Sequence, residues 1–151
     1  MNISIATIPP RFNSLIKSLR AFLNQTLEIK KIYVNLPEDF KRFENFTPEQ
    51  EEEIKAISNK IVITKTPYDS PALKYLGCLP YVDKEDFIFV GDDDQEYHPE
   101  LLEKMKEGIY NEDAVYQNRY HIVKHGTAGI IHGFVGLMLK AKLLSNIKNF
   151  D

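Results

Sequence analysis

The densest chemistry in this sequence sits at Asp92, Asp93 and Asp94, which follow the apolar run Phe87, Ile88, Phe89, Val90 with only Gly91 between. Adjacent carboxylates at the edge of an apolar core repel one another, raising one another's pKa and costing stability. A divalent cation would relieve that repulsion. Residues two apart in an extended chain share a side, so the spacing predicts that Asp92 and Asp94 face one ion while Asp93 points away. Carboxylate oxygens suit hard cations such as Mg²⁺, Mn²⁺ or Ca²⁺, and Mg²⁺ usually keeps water and substrate phosphate in its remaining positions. Two carboxylates leave room for the phosphates of a nucleotide. Two plainer readings stand beside this one. The run could be an acidic turn ahead of a helix that begins near Pro99 and continues through Leu101, Leu102, Met105 and Ile109. A calcium loop is the other, with Asp92, Asp94, Glu96 and Glu103 at ligand positions; Tyr97 where glycine is needed and the strand in front argue against it.

Phe87 to Val90 read as a strand buried on both faces, as in the middle of a parallel sheet. The rest of the chain repeats that theme. ISIAT (3–7) is a strand followed by a helix with Leu15, Leu19, Phe22 and Leu23 on one face. KKIYVNLP (30–37) is a second strand, and Thr47, Pro48 and Gln50 spell a capping box for a charged helix. KIVITKTP (60–67) is a third strand, and SPALKYLGCLPYV (70–82) contains a short helix. Alternation of this kind indicates an α/β sheet, mostly parallel, with right-handed crossovers. Beyond Gly108 the rhythm changes: AVYQNRYHIVKHG (114–126) reads as a longer strand and GFVGLMLKAKLLSNI (133–147) as a strand running into a helix. Residues 38–46 read as an irregular loop.

Placed on that scaffold, Thr7 with Arg11, Asn35, Thr66 with Asp69, and Asp92 with Asp94 all follow the carboxyl end of an apolar strand. Open α/β sheets bind ligands outside those ends, near the switch in strand order. An acidic pair, a base and hydroxyls gathered there suit a phosphate-bearing ligand.

The chain's 151 residues, 43% hydrophobic and 27% charged, fit one globular domain over residues 1–151. A net charge of −3 and the lack of a basic stripe with interleaved aromatics exclude a nucleic-acid surface. Cys78 is the only cysteine, so an internal disulfide is impossible. No run reaches membrane-span length and the first residues have no leader pattern, so the expected location is cytoplasmic.

The ordered set T-x-P-x-R at Thr7, Pro9 and Arg11, SLRAFLNQT ending at Thr26, DSPALKYLG from Asp69 to Gly77, VGDDD, and GFVGLMLK resembles nucleotide-sugar glycosyltransferases of the GT-A fold, family 2-like. The resemblance spans nearly the whole chain and implies a single Rossmann-like domain. It implies that Asp92 and Asp94 hold Mn²⁺ or Mg²⁺ against the diphosphate of a nucleoside-diphosphate sugar donor. The ion would neutralise charge on the leaving group. By the same resemblance Asp93 meets the donor's ribose or sugar, Thr7 and Arg11 line the nucleotide pocket, and Asp69 and Lys74 lie near base or phosphate. Many relatives place an acid after the second strand to read the base; here Asn35 would substitute. Relatives also continue past GFVGLMLK into a segment carrying the base that activates the acceptor, whereas this chain ends at Asp151. His125, His132 and Asp151 are the candidates for that role, and the acceptor, whether glycan, protein or small molecule, is left open. A noncatalytic nucleotide-sugar or metal-binding domain lacking the acceptor half is the alternative. A nucleotidyltransferase is a third reading, and no Gly-rich phosphate loop favours it.

Overall fold

Four short apolar segments form the parallel heart of the sheet: β1 (Asn2–Ala6), β2 (Lys31–Pro37), β3 (Ile61–Thr66) and β4 (Phe87–Val90). The computed structural model describes residues 1–112, 114–117, 121–122, 129–130 and 136–145. Within these, β1 lies between β2 and β4, and β3 lies outside β2, all pairings being parallel. The chain therefore winds outward from β1 through β2 to β3, then returns to the other side of β1. This reversal is the switch point, and it lies between the ends of β1 and β4.

Beyond β4 the sheet continues with β8 (Leu137–Lys140), antiparallel to β4, and β5 (Tyr116–Gln117), antiparallel to β8. β6 (His121–Ile122) and β7 (Gly129–Ile130) pair separately. Of the strand expected over residues 114–126, residues 118–120 and 123–126 lie outside the described residues, and the described pieces Tyr116–Gln117 and His121–Ile122 pair in different sheets. β-Propensity favours extended chain but does not choose its partner. The strand-into-helix reading of the next segment holds, with β8 passing directly into α5 (Ala141–Ser145).

Helices cover both faces, as parallel strands require. On one side α1 (Phe12–Leu23), α2 (Pro48–Ala56) and α4 (Leu101–Glu107) close over Ile3, Ile5, Ile32, Val34 and Phe89. Leu15, Leu19 and Phe22 supply the buried stripe of α1 at helical spacing. On the other side α3 (Leu73–Leu76), its following turn with Cys78, and α5 cover Tyr33, Ile88, Val90, Leu137 and Leu139. The alternation of Ile88 and Val90 to one face and Phe89 to the other is the strand's two-residue period. Each fully buried aliphatic or aromatic side chain in these layers contributes about 1.5–3 kcal/mol.

Thr47 caps α2 as its sequence predicts: its Oγ1 accepts from the Gln50 N–H at 3.2 Å, and Gln50 Oε1 accepts from the Thr47 N–H at 3.0 Å. Such a cap is worth about 0.5–2 kcal/mol. Among the described residues no helix is long and apolar enough to cross a membrane.

Candidate functional site

The carboxyl ends of the parallel strands open into a cavity of about 580 Å³. Its walls include Thr7 and Arg11 after β1, Asp69 and Ser70 after β3, Leu73 and Lys74 of α3, and Asp92 and Asp93 after β4. Five of the residues singled out by sequence as donor-binding, together with Asp92, are therefore brought to one space.

The acidic loop is held differently from the extended chain expected of it. The backbone turns at Asp93 and Asp94, so simple alternation of sides fails. Asp93, only 3% exposed, lies inward between β1 and β4. One of its oxygens accepts from Thr7 Oγ1 at 2.6 Å and the other from Arg11 Nη1 at 2.9 Å. The Asp93 contact is also the first cause of a raised Arg11 pKa, which keeps the guanidinium charged. Asp93 thus anchors the T-x-P-x-R turn to the acidic loop across the switch point, and both its oxygens are engaged within the chain.

Asp92 faces the cavity and forms an ion pair with Lys74 Nζ at 2.8 Å, both side chains being 16% exposed. Asp94 is 41% exposed, lies 3.3 Å from Arg11 and is not part of the cavity wall. Repulsion among the three carboxylates is therefore relieved by Arg11 and Lys74, cations of the chain itself. Asp92 and Asp94 still offer hard oxygen donors on either side of the anchored Asp93, a set that suits a divalent cation with open positions. Among the described residues no three or more His, Cys, Asp or Glu side chains gather as a complete metal cage. A cation held here would take its other ligands from water or phosphate.

Asn35 is a correction. Its side chain is completely buried inside the sheet rather than at the cavity. Nδ2 donates to Ser4 Oγ at 2.9 Å and to the Ile5 carbonyl at 2.7 Å, while Oδ1 accepts from Thr64 Oγ1 at 2.7 Å. An amide bonded this way crosslinks β1, β2 and β3, and its full burial keeps it from a ligand in the cavity. Asp69 does reach the cavity, where its Oδ2 accepts from the Lys41 N–H at 2.9 Å. His125, His132 and Asp151 lie outside the described residues.

Two contributions escaped the sequence reading. The irregular loop at residues 38–46 forms a wall of the cavity through Phe40, Lys41, Arg42 and Phe43. It is a built loop. Asn45 accepts from the Phe40 N–H at 2.9 Å and donates to Asp39 at 3.0 Å, and Phe46 packs between Phe12 and Phe40. Among the described residues, Lys41 and Arg42 with Arg11 and Lys74 give the wall four cations against the three carboxylates of Asp69, Asp92 and Asp93. The second contribution comes from α1 and the turn that follows it. Ser18 Oγ donates to the Gln95 carbonyl at 2.8 Å, Gln25 Nε2 to the His98 carbonyl at 2.9 Å, and Gln25 Oε1 accepts from the Leu102 N–H at 3.1 Å. Buried Tyr97 completes the clamp, its hydroxyl accepting from the Asp92 N–H at 3.0 Å; burial pushes its pKa upward, so it stays neutral. A polar residue at a helical position that faces the core, such as Ser18, is the signal that marks such a staple.

The parallel sheet, the switch point and the cavity outside the strand ends define a Rossmann-like α/β domain with a glycosyltransferase-like fold. The crystal structure of the glycosyltransferase GlyE in Streptococcus pneumoniae TIGR4 matches with a TM-score of 0.58 at 11% sequence identity. That match covers 93% of this chain and 34% of the GlyE chain, so this chain spans about a third of that protein's length. By sequence, no family model and no curated protein matches the chain.

Proposed function

We propose that the chain is the donor-binding part of a metal-dependent glycosyltransferase that uses a nucleoside-diphosphate sugar. The observation that carries this reading is the convergence of Thr7, Arg11, Asp69, Lys74, Asp92 and Asp93 on one cavity at the switch point of the sheet. A phosphorylated ligand suits a wall with more cations than carboxylates. The fold shared with a glycosyltransferase adds support.

In this reading Asp92 and Asp94 hold Mn²⁺ or Mg²⁺. The ion, when bound, supplies charge neutralisation at the departing nucleoside diphosphate. Arg11 and Lys74 add fixed positive charge at the same place, acting on charge that grows as the leaving group departs. Asp93 keeps Arg11 in position, Ser18 of α1 holds the chain just after the acidic loop at Gln95, and Gln25 beyond α1 holds the start of α4 through His98 and Leu102. Asp69 and the aromatic side chains of Phe40 and Phe43 form the far wall, where a nucleoside would lie.

The alternative is a domain that binds a nucleotide sugar without transferring it. The deciding experiment incubates the protein with a panel of UDP- and GDP-sugars and Mn²⁺, with and without acceptors, and measures free nucleoside diphosphate. Release that is abolished by Asp92→Asn and by chelation supports the transferase. Mn²⁺-dependent binding without release supports the noncatalytic domain. A lack of Mn²⁺-dependent affinity for any nucleoside diphosphate would refute both.

A further inference from the structure

We propose that Lys74 is a tethered counter-ion that excludes divalent metal from Asp92 until a diphosphate arrives to take it over, making metal and diphosphate binding strongly coupled. The proposal rests on the metal reading given above and extends it from the site's composition to its order of assembly.

The observation is the ion pair itself. Lys74 Nζ is 2.8 Å from Asp92 Oδ1, and each side chain is only 16% exposed. A contact so shielded from water is screened far less than a surface pair. The ammonium occupies one of the two Asp92 carboxylate oxygens, and it places positive charge where a second cation would enter. Metal alone must therefore break this pair or share the carboxylate with it, and either way Lys74 is left beside a like charge.

A diphosphate changes the balance because Lys74 also lines the cavity with Arg11, Lys41 and Arg42. Lysine is a compact charge on a flexible four-carbon stem, suited to moving between two anions. Once phosphate oxygens are present, the ammonium can leave Asp92 for them, so that the carboxylate turns to the metal while the ammonium keeps an anionic partner. Asp93 is not available for such an exchange, since Thr7 and Arg11 hold both of its oxygens. Asp94 pairs with Arg11 at the longer distance of 3.3 Å and at 41% exposure, so Arg11 competes weakly with a metal there. The gate is thus Lys74 acting on Asp92. Linkage makes the effect reciprocal: whatever factor diphosphate adds to metal affinity, metal adds to diphosphate affinity.

The test titrates Mn²⁺ alone, UDP and GDP alone, and each in the presence of the other, following bound Mn²⁺ by electron paramagnetic resonance and nucleotide by calorimetry. Wild type, Lys74→Met and Lys74→Arg are compared, with Asp94→Ala as a control on the metal site. The expected result is that Lys74→Met binds Mn²⁺ without nucleotide roughly tenfold more tightly than wild type, inside the range of about 5- to 150-fold typical of coupled sites. It should also bind diphosphate more weakly, so that the mutual enhancement seen in wild type shrinks. Lys74→Arg keeps the charge and should resemble wild type toward Mn²⁺ alone, and a circular-dichroism melting curve of Lys74→Met matching wild type guards against a fold defect. Equal or weaker Mn²⁺ binding by Lys74→Met, while wild type still binds Mn²⁺ with diphosphate, would overturn the gate and leave the metal reading standing. Failure of every protein to bind Mn²⁺ with or without diphosphate would overturn the metal reading and the gate together.

Discussion

Asn35→Ala separates a residue that holds the sheet from one that touches a ligand. In wild type its amide donates to Ser4 Oγ and the Ile5 carbonyl and accepts from Thr64 Oγ1, with no exposure to solvent. Truncation leaves Ser4 with the Cys78 thiol as a partner but strands the Thr64 hydroxyl and takes the Asn35 donor from the Ile5 carbonyl. Each stranded buried group costs about 1–3 kcal/mol. The vacated volume adds more, because Asn35 packs so closely on Gly77 that a Cβ added to that glycine would lie 2.5 Å from Asn35 Oδ1. The total expected loss is about 3–5 kcal/mol, a large part of the roughly 5–15 kcal/mol that holds a domain together. Urea unfolding followed by circular dichroism should show a lower midpoint with an unchanged slope. Nucleoside-diphosphate affinity, measured at a temperature where both proteins are folded, should stay within about twofold of wild type, a difference below about 0.5 kcal/mol. Asn35→Asp supplies a second readout. A carboxyl buried against the Ile5 carbonyl would have a raised folded-state pKa, so its stability is retained below the unfolded value of about 3.9 and lost as pH rises. An Asn35→Ala variant of unchanged stability but impaired binding would refute this placement of Asn35.

Thr7→Val removes the 2.6 Å hydrogen bond to the buried Asp93 carboxylate and should lower stability by about 1.5–3 kcal/mol, read from the chemical unfolding midpoint. Gly136→Ala should cost about 1–3 kcal/mol in the same assay, because Gly136 has φ +90° and an added Cβ would press on the Phe89 ring. The Lys30 ammonium, 2.7 Å from Asp86, holds that carboxyl below its ordinary value of 3.8. Stability from this contact is therefore present above pH 3.8 and lost as pH falls through the lower folded-state pKa, so Asp86→Asn should show a shallower acid-unfolding profile than wild type.

The sequence by itself determined the order of strands and helices through β4, the capping box at Thr47 and the placement of polar residues after apolar strands. These features are local: a two-residue or 3.6-residue period and a side chain that bonds three residues ahead are written within one segment. It also pointed to Asp92, Asp93 and Asp94 and to Thr7, Arg11 and Asp69, because polar residues just after a buried strand are conspicuous, and to Lys74 through the family resemblance. Only the tertiary structure decided what those charges do. The sequence reading sent Asp93 to a ligand, but the parallel pairing of β1 with β4 brings Thr7 and Arg11 onto both of its oxygens. The same reading put Asn35 at the rim, and the alignment of Ala6, Asn35 and Thr64 across three strands buries it. The repulsion at the acidic loop was legible, but its relief by Lys74 was not, since that contact joins residues 18 positions apart through the packing of α3 on the sheet. An ion pair depends on distance in space and on the water excluded around it, and neither quantity is carried by the residues one at a time.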